Sequence, residues 1–415
     1  MKRAPIVLLG FLFCSVAGTA QQQRPAADAT LDLKTLEAAL AAKPQGAEAE
    51  RLADRIRSAF GGRDALVRGA APKIDELNVA WALELAEPLA PNAFMPRVSR
   101  DTGNVNYPMV RVGTTNVYAL VRTLSQGTAF TWHFEADNHR FGGSQLEAWE
   151  MPPESREQPG VPKGVVKQMP PWESRIFNGT KRDWWIYVPA QYRAQTPAAV
   201  MVFQDGNVPR TWAPAVFDNL IARHEMPVTV AIFIEPGGTK APRDNRSFEY
   251  DTLSDQYARF LLEEILPEAE KTVKLRHDAA SRAIAGQSSG AICAFTVAWE
   301  RPNEFSKVVS WTGSYTNLAA GSDQRSGGHN YEALVRRLPK KPIRVFLQDG
   351  SNDLDLPAGS WWLANQTLAK SLEFAGYDYR YAWGNGFHNY QHGRAIFPDT
   401  LRWLWRDYPR DSRPE

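Results

Sequence analysis

Residues 283–295 read AIAGQSSGAICAF. Ser288 stands between Gly286 and Gly290, with an apolar run before it and a helical pattern after it. A serine hydroxyl is a weak nucleophile until a base takes its proton. The Gly-x-Ser-x-Gly spacing suits a sharp strand-to-helix turn that lifts the hydroxyl above the end of a sheet. Glycines fit there because strand and helix come close without side-chain bulk. Alone, five residues describe any small-residue turn. The flanking strand and helix patterns make Ser288 a candidate nucleophile.

Such a nucleophile needs a base and an acid downstream, in the order Ser, Asp/Glu, His. Three histidines follow it: His329, His388 and His392. His388 lies in AWGNGFHNYQHG, between the last strand pattern and the last helix pattern, and is the expected base. His392 is its nearest competitor, and His329 falls too early. The segment VFLQDGSNDLD offers Asp349, Asp353 and Asp355. Asp353, one short loop beyond the strand, is the expected acid, with Asp355 as the alternative. Asp349 is expected to end the strand and brace the turn. The acid's role is to fix the imidazole tautomer and stabilise the imidazolium. A developing oxyanion requires two backbone donors. Ser289 is expected to give one. Gly206, or a neighbour at the end of MVFQDGN, is expected to give the other, with Asp205 shaping that turn.

The elements that must hold these residues follow from periodicity. From Trp172 to residue 412 short apolar runs alternate with helical stretches, which predicts a mostly parallel sheet with helices on both faces. Ligands on such sheets bind at the carboxyl ends of the strands. Residues 72–151 instead carry short alternating runs rich in Val, Tyr and Trp, the pattern of a small β-sandwich. Residues 152–171 hold six prolines and predict a surface linker. Residues 21–71 predict helices stopped by Gly61 and Gly62. Residues 1–20 have a basic start at Lys2 and Arg3, an apolar run from Ile6 to Val16 and small residues up to Ala20. That is the layout of an export signal, too short for a membrane span. The expected location is periplasmic or extracellular.

The 415 residues carry 48 basic and 46 acidic side chains, a net charge of +2. No field suited to nucleic acid or to an anionic membrane follows from that balance. Of two cysteines, Cys14 lies in the signal, so the mature chain keeps Cys293 alone, without an intramolecular disulfide. His133 and His139 lack the companions a metal site needs, and no metal or cofactor is expected. Trp311, Tyr315, Trp361 and Trp362 follow strands or start helices on the reactive side. They are expected either to wall an acyl or sugar pocket or to pack in the core.

These segments resemble a known family. AIAGQSSGAICAFTVAWERPNEFSKVVSWTGSY is similar to the elbow region of the enterochelin (enterobactin) esterases. DNRSFEYDTLSDQYARFLLEEILP resembles their Arg-x-x-Glu segment and following helix, and LANQTLAKSLEFAG and NGFHN resemble two further segments. The resemblance covers about residues 75–410. It reaches into the wider esterase-D-like group of α/β-hydrolases, which includes feruloyl and acetyl-xylan esterases and mycolyl transferases. It implies an α/β-hydrolase preceded by an Ig-like domain, and Ser288, Asp353 and His388 as a triad. It also implies that Arg246 and Glu249 brace the site or hold substrate. The expected activity is hydrolysis of a small-molecule or oligosaccharide ester, of phenolic, acetyl or siderophore type. Acyl transfer on the same triad, or a catalytically silent glycan-binding protein, are the alternatives.

Overall fold

The computed structural model describes residues 31–238, 245–318 and 327–409, so the expected export signal lies outside the described residues. Three short helices come first: α1 (Leu33–Ala41), α2 (Gly46–Ala59) and α3 (Arg63–Arg68). Eight strands follow: β1 (Lys73–Asp75), β2 (Asn78–Glu84), β3 (Arg97–Arg100), β4 (Asn106–Pro108), β5 (Val110–Arg111), β6 (Val117–Thr123), β7 (Thr128–Ala136) and β8 (His139–Ala148). They form two four-stranded antiparallel sheets, ordered β1-β2-β6-β5 and β4-β3-β7-β8. The two-residue period explains how β2 serves two cores at once. Val79, Trp81 and Leu83 face the second sheet with Trp132, Phe134 and Leu146. Ala80 and Ala82 face the helices and meet Leu36, Leu52 and Ile56. The small alanines let the helices lie close to the sheet.

Twelve more strands are β9 (Val165–Gln168), β10 (Trp172–Ser174), β11 (Thr180–Arg182), β12 (Trp184–Val188), β13 (Ala199–Gln204), β14 (Thr229–Ile234), β15 (Arg282–Gln287), β16 (Lys307–Trp311), β17 (Arg344–Gly350), β18 (Asp355–Leu356), β19 (Gly359–Ser360) and β20 (Asp378–Gly384). Eight of them form one sheet ordered β20-β17-β16-β15-β13-β14-β12-β9. Its central pairs are parallel, and β12 is antiparallel to both of its neighbours. The helices between them are α4 (Ala213–Ala222), α5 (Asn245–Asp251), α6 (Gln256–Phe260), α7 (Leu266–Ala269), α8 (Ser289–Glu300), α9 (Tyr331–Arg337), α10 (Trp361–Phe374), α11 (Gln391–Ala395) and α12 (Phe397–Leu404).

Helices cover both faces. One core joins α6 to α10 to the sheet through Phe260, Ile292, Val335 and Leu368. The other joins α4 and α12 to it through Val216, Phe217, Phe397 and Leu401. Central strands are therefore apolar on both sides, as a parallel sheet demands.

The expected linker is corrected in part. Its end, β9, pairs with β12 at the sheet edge. Earlier in the segment, Asn219 of α4 donates to the carbonyls of Glu154 and Arg156, and Gly164 N–H donates to Asp218. Prolines hid this strand because they suppress strand patterning. They are tolerated beside an edge strand, where fewer ladder bonds are required. Among the described residues no helix is long and apolar enough to cross a membrane.

Candidate active site

β15 ends at Gln287 and α8 starts at Ser289, so Ser288 alone makes the turn. Its φ of 58° and ψ of −125° are strained for a residue with a side chain. The strain is held from several sides. Ser288 N–H donates to the Trp311 carbonyl of β16, and the Ser288 carbonyl accepts from Ala291 and Ile292. A Cβ on Gly286 would overlap the backbone of Gly290, and one on Gly290 would lie 2.9 Å from Asp205 Oδ2. Both glycines are therefore demanded by close approach.

His388 leaves the carboxyl end of β20, and its Nδ1 lies 2.5 Å from Asp353 Oδ1. The Asp353 side chain is fully buried, and its turn is fixed by its own N–H donating to the Gly350 carbonyl. With Nδ1 engaged, Nε2 is the nitrogen available to a hydroxyl. Asp355, the alternative acid, sits exposed on β18. Ser288 Oγ is hydrogen-bonded to Ser314 Oγ at 3.2 Å, and Ser314 Oγ accepts from Trp361 Nε1 at 3.0 Å. Trp361 stands edge-on to His388 with ring centres 6.0 Å apart. No direct Ser288–His388 hydrogen bond occurs among the described residues. Catalytic hydrogen bonds often tighten only when substrate is bound.

Asp349, next to last in β17, is fully buried, and its Oδ1 accepts from Gly350 N–H. Burial, then the adjoining Asp353 carboxyl, pushes its acid up to about 10. Asp349 Oδ2 and Asp353 Oδ2 are both buried without a hydrogen-bond partner among the described residues.

Of the two expected oxyanion donors, one amide is free and the other is engaged. Ser289 N–H, at the first residue of α8, has no acceptor among the described residues, as helix starts leave free donors. Gly206 N–H is spent on the Ile234 carbonyl, 3.1 Å away. Gly206 is small because a Cβ there would strike β14, not because substrate approaches. The neighbouring amide of Asn207 donates to Glu235 Oε1 at 2.7 Å. Burial, above all, raises the Glu235 carboxyl above its usual range.

Arg246 on α5 binds Asp205 through Nε and Nη2, both at 2.7 Å. Asp205 has φ 51° and abuts Gly290, so this pair braces the elbow from the β13 side. Glu249 is corrected as a substrate contact. It is buried in a bidentate pair with Arg182 at 2.5 and 3.0 Å, tying α5 to β11. Trp311 and Tyr315 are corrected as pocket walls. Trp311 packs under the sheet against Trp212, Tyr390 and Phe397. Tyr315 packs against Phe295 and donates to Ser310. Cys293 is buried, and burial raises its thiol well above the usual range, so it packs rather than reacts. Sequence reasoning passed over Ser314. Its signal was available: a polar residue just beyond the carboxyl end of β16.

The family model described as "Putative esterase" matches residues 175–404, more than half of the chain. The fold is shared with the enterobactin esterase FES of Shigella flexneri, solved with enterobactin. That match has a TM-score of 0.58 and 18% identity, covering 82% of this chain and 96% of that one. The ferric enterobactin esterase of Salmonella typhimurium matches with a TM-score of 0.58 and 18% identity, covering 82% and 97%. A ferulic acid esterase matches with a TM-score of 0.50 and 18% identity, covering 59% and 99%.

Proposed function

This chain belongs to the esterase family and is a carboxylic ester hydrolase, and from that premise we propose that it works through a Ser288–His388–Asp353 triad. His388 Nε2 takes the Ser288 proton as Oγ attacks the ester carbonyl carbon. The oxyanion lies on the Ser289 amide, the one expected donor left without an acceptor. When the intermediate collapses, the alkoxide leaves with the proton His388 carries, and an acyl-enzyme remains. Water, deprotonated by His388, then releases the acid and restores Ser288. The observation that carries this reading is the 2.5 Å His388–Asp353 contact, together with a serine held at φ 58° in the turn after β15.

The substrate we infer has an aromatic or otherwise apolar acyl group. Val208, Phe248, Leu318 and Leu356 are exposed. Each lies on a segment leaving the carboxyl end of a sheet strand, where such a group would dock. Feruloyl-type and catecholate siderophore esters carry such a group, and an acetyl ester does not. Export to the periplasm or exterior, and an Ig-like character of the two-sheet β-domain, belong to the same proposal. The facing sheets and their Trp81–Trp132 core support the latter.

The test is a panel of feruloyl, acetyl-sugar and catecholate esters, with fluorophosphonate labelling. Ser288→Ala is expected to lower kcat by at least about 10³-fold and to abolish labelling. Undiminished turnover by that variant would end the triad reading. Product analysis with excess acceptor alcohol would expose acyl transfer instead.

A further inference from the structure

Glu147 lies near the end of β8, in the β-domain, 241 positions before His388 in the sequence. It is nevertheless buried against the His388 loop. Its Oε2 accepts from Phe387 N–H at 3.0 Å and from Asn389 Nδ2 at 2.8 Å, the residues on either side of His388. Its Oε1 accepts from Trp149 Nε1 at 2.6 Å. Among the described residues no arginine or lysine pairs with it. Hiding a carboxyl group from water is costly unless hydrogen bonds replace the water. Here all three donors are neutral, and two belong to the loop that carries the base.

The rest of the loop is confined by the same neighbours. A Cβ on Gly386 would lie 2.6 Å from Glu147 Oε1, and a Cβ on Gly350 would overlap the Gly386 backbone. Gly386 is thus held between the end of β17 and the β-domain. Its carbonyl also accepts from Asn352 N–H. The Trp149 indole, oriented by Glu147, stacks on His392 with ring centres 4.3 Å apart and planes at 9°. Asp353 fixes the direction of the His388 ring, while on the hydrolase side the flanking residues are tied only within the loop itself, by Asn389 N–H to the Phe387 carbonyl and by Gln391 N–H to Asn389 Oδ1, among the described residues.

We propose that Glu147 is a positioning residue for His388, so that the N-terminal β-domain supplies part of the catalytic geometry. The proposal rests on the triad reading above. A base displaced by about 1 Å loses on the order of 10²-fold in rate, so removing the clamp affects the chemical step more than binding.

Kinetics and thermal melting of full-length variants test this. Glu147→Ala is expected to lower kcat by about 10- to 100-fold with KM within about twofold. Fluorophosphonate labelling of Ser288 should slow in parallel. Glu147→Gln keeps an oxygen for Phe387 and Asn389 and is expected to recover most of kcat. Asn389→Ala removes one anchor from the loop side and should show a smaller fall. Arg156→Ala breaks an ion pair to Glu76 elsewhere on the β-domain and should change melting only. If Glu147→Ala proves unstable, Asn389→Ala still decides, because a loss of kcat in folded protein is required of it. Wild-type kcat in folded Glu147→Ala, with only a lower melting temperature, would reduce Glu147 to a docking contact. His388→Ala separates the two readings. If it stays active, the triad falls and this proposal with it. If it is dead while Glu147→Ala is fully active, only this proposal falls.

Discussion

At the scale of single residues, the acid arm is a chain of three groups rather than two. Asp349, its acid raised by burial and by the adjoining Asp353 carboxyl, lies behind Asp353, which meets His388 Nδ1. Asp349→Asn offers a donor to Asp353 and is expected to retain activity. Asp349→Leu leaves Asp353 Oδ2 buried and unsatisfied, at a cost of about 1–3 kcal/mol, and is expected to lower kcat. The pH dependence of stability follows from the direction of the shift. A carboxyl raised from 3.8 to about 10 in the folded state favours folding fully below pH 3.8. That contribution is lost as pH rises toward the folded value. Asp349→Asn does not titrate, so its melting temperature relative to wild type should climb steadily between pH 4 and 9. A flat difference would mean that Asp349 is ionised in the native protein. Cys293 offers a simpler check: a thiol reagent should label it only after denaturant unfolds the protein, because it is buried.

At the scale of elements, the elbow depends on close approach between β13, β15 and α8. Gly290→Ala sets two effects against each other. Alanine improves helix propensity by about 1 kcal/mol, but overpacking costs about 1–3 kcal/mol. The clash is with Gln204 Cβ at 3.0 Å and the Asp205 carboxylate at 2.9 Å. Asp205 cannot retreat easily, since Arg246 grips both of its oxygens. The clash should win, with activity lost more than stability, read from kcat and melting of the same preparation. These elements also show what a single sequence discloses. The elbow, the strand before it and the helix after it were legible because each is a local pattern. That Ser288, Asp353 and His388 each follow the end of a strand was legible because an apolar run precedes each of them. Gly206 was misread because glycine at a strand end signals close approach without saying to what. Only the β13–β14 register shows that the neighbour is Ile234. Strand β9 was missed because prolines obscure a short edge strand.

At the scale of the whole molecule, the three parts share cores and contacts rather than hanging on linkers. The first helices complete the outer face of the β2 sheet, and the β-domain reaches the His388 loop through Glu147, Trp149 and His392. Burial pushes His392 down to about 4, so it is neutral in its stack on Trp149. A histidine with a depressed folded value favours folding fully above its unfolded value of 6.5. That contribution is lost as pH falls toward about 4. His392→Gln should therefore melt with a shallower pH dependence than wild type between pH 6.5 and 4. Equal slopes would place the acid sensitivity elsewhere. By itself the sequence determined what is local: a serine in a tight strand-to-helix turn, an aspartate and a histidine after named strands, and the alternation that builds a parallel sheet. Only the tertiary structure decided which groups were already spent. Gly206 N–H is taken by β14, Trp311 and Tyr315 fill the two cores, and Glu249 is closed into a pair with Arg182. The clamp between Glu147 and Phe387 joins residues 240 apart in the chain. No periodicity spans that distance, because hydrogen bonds between distant segments exist only once both have been packed into place.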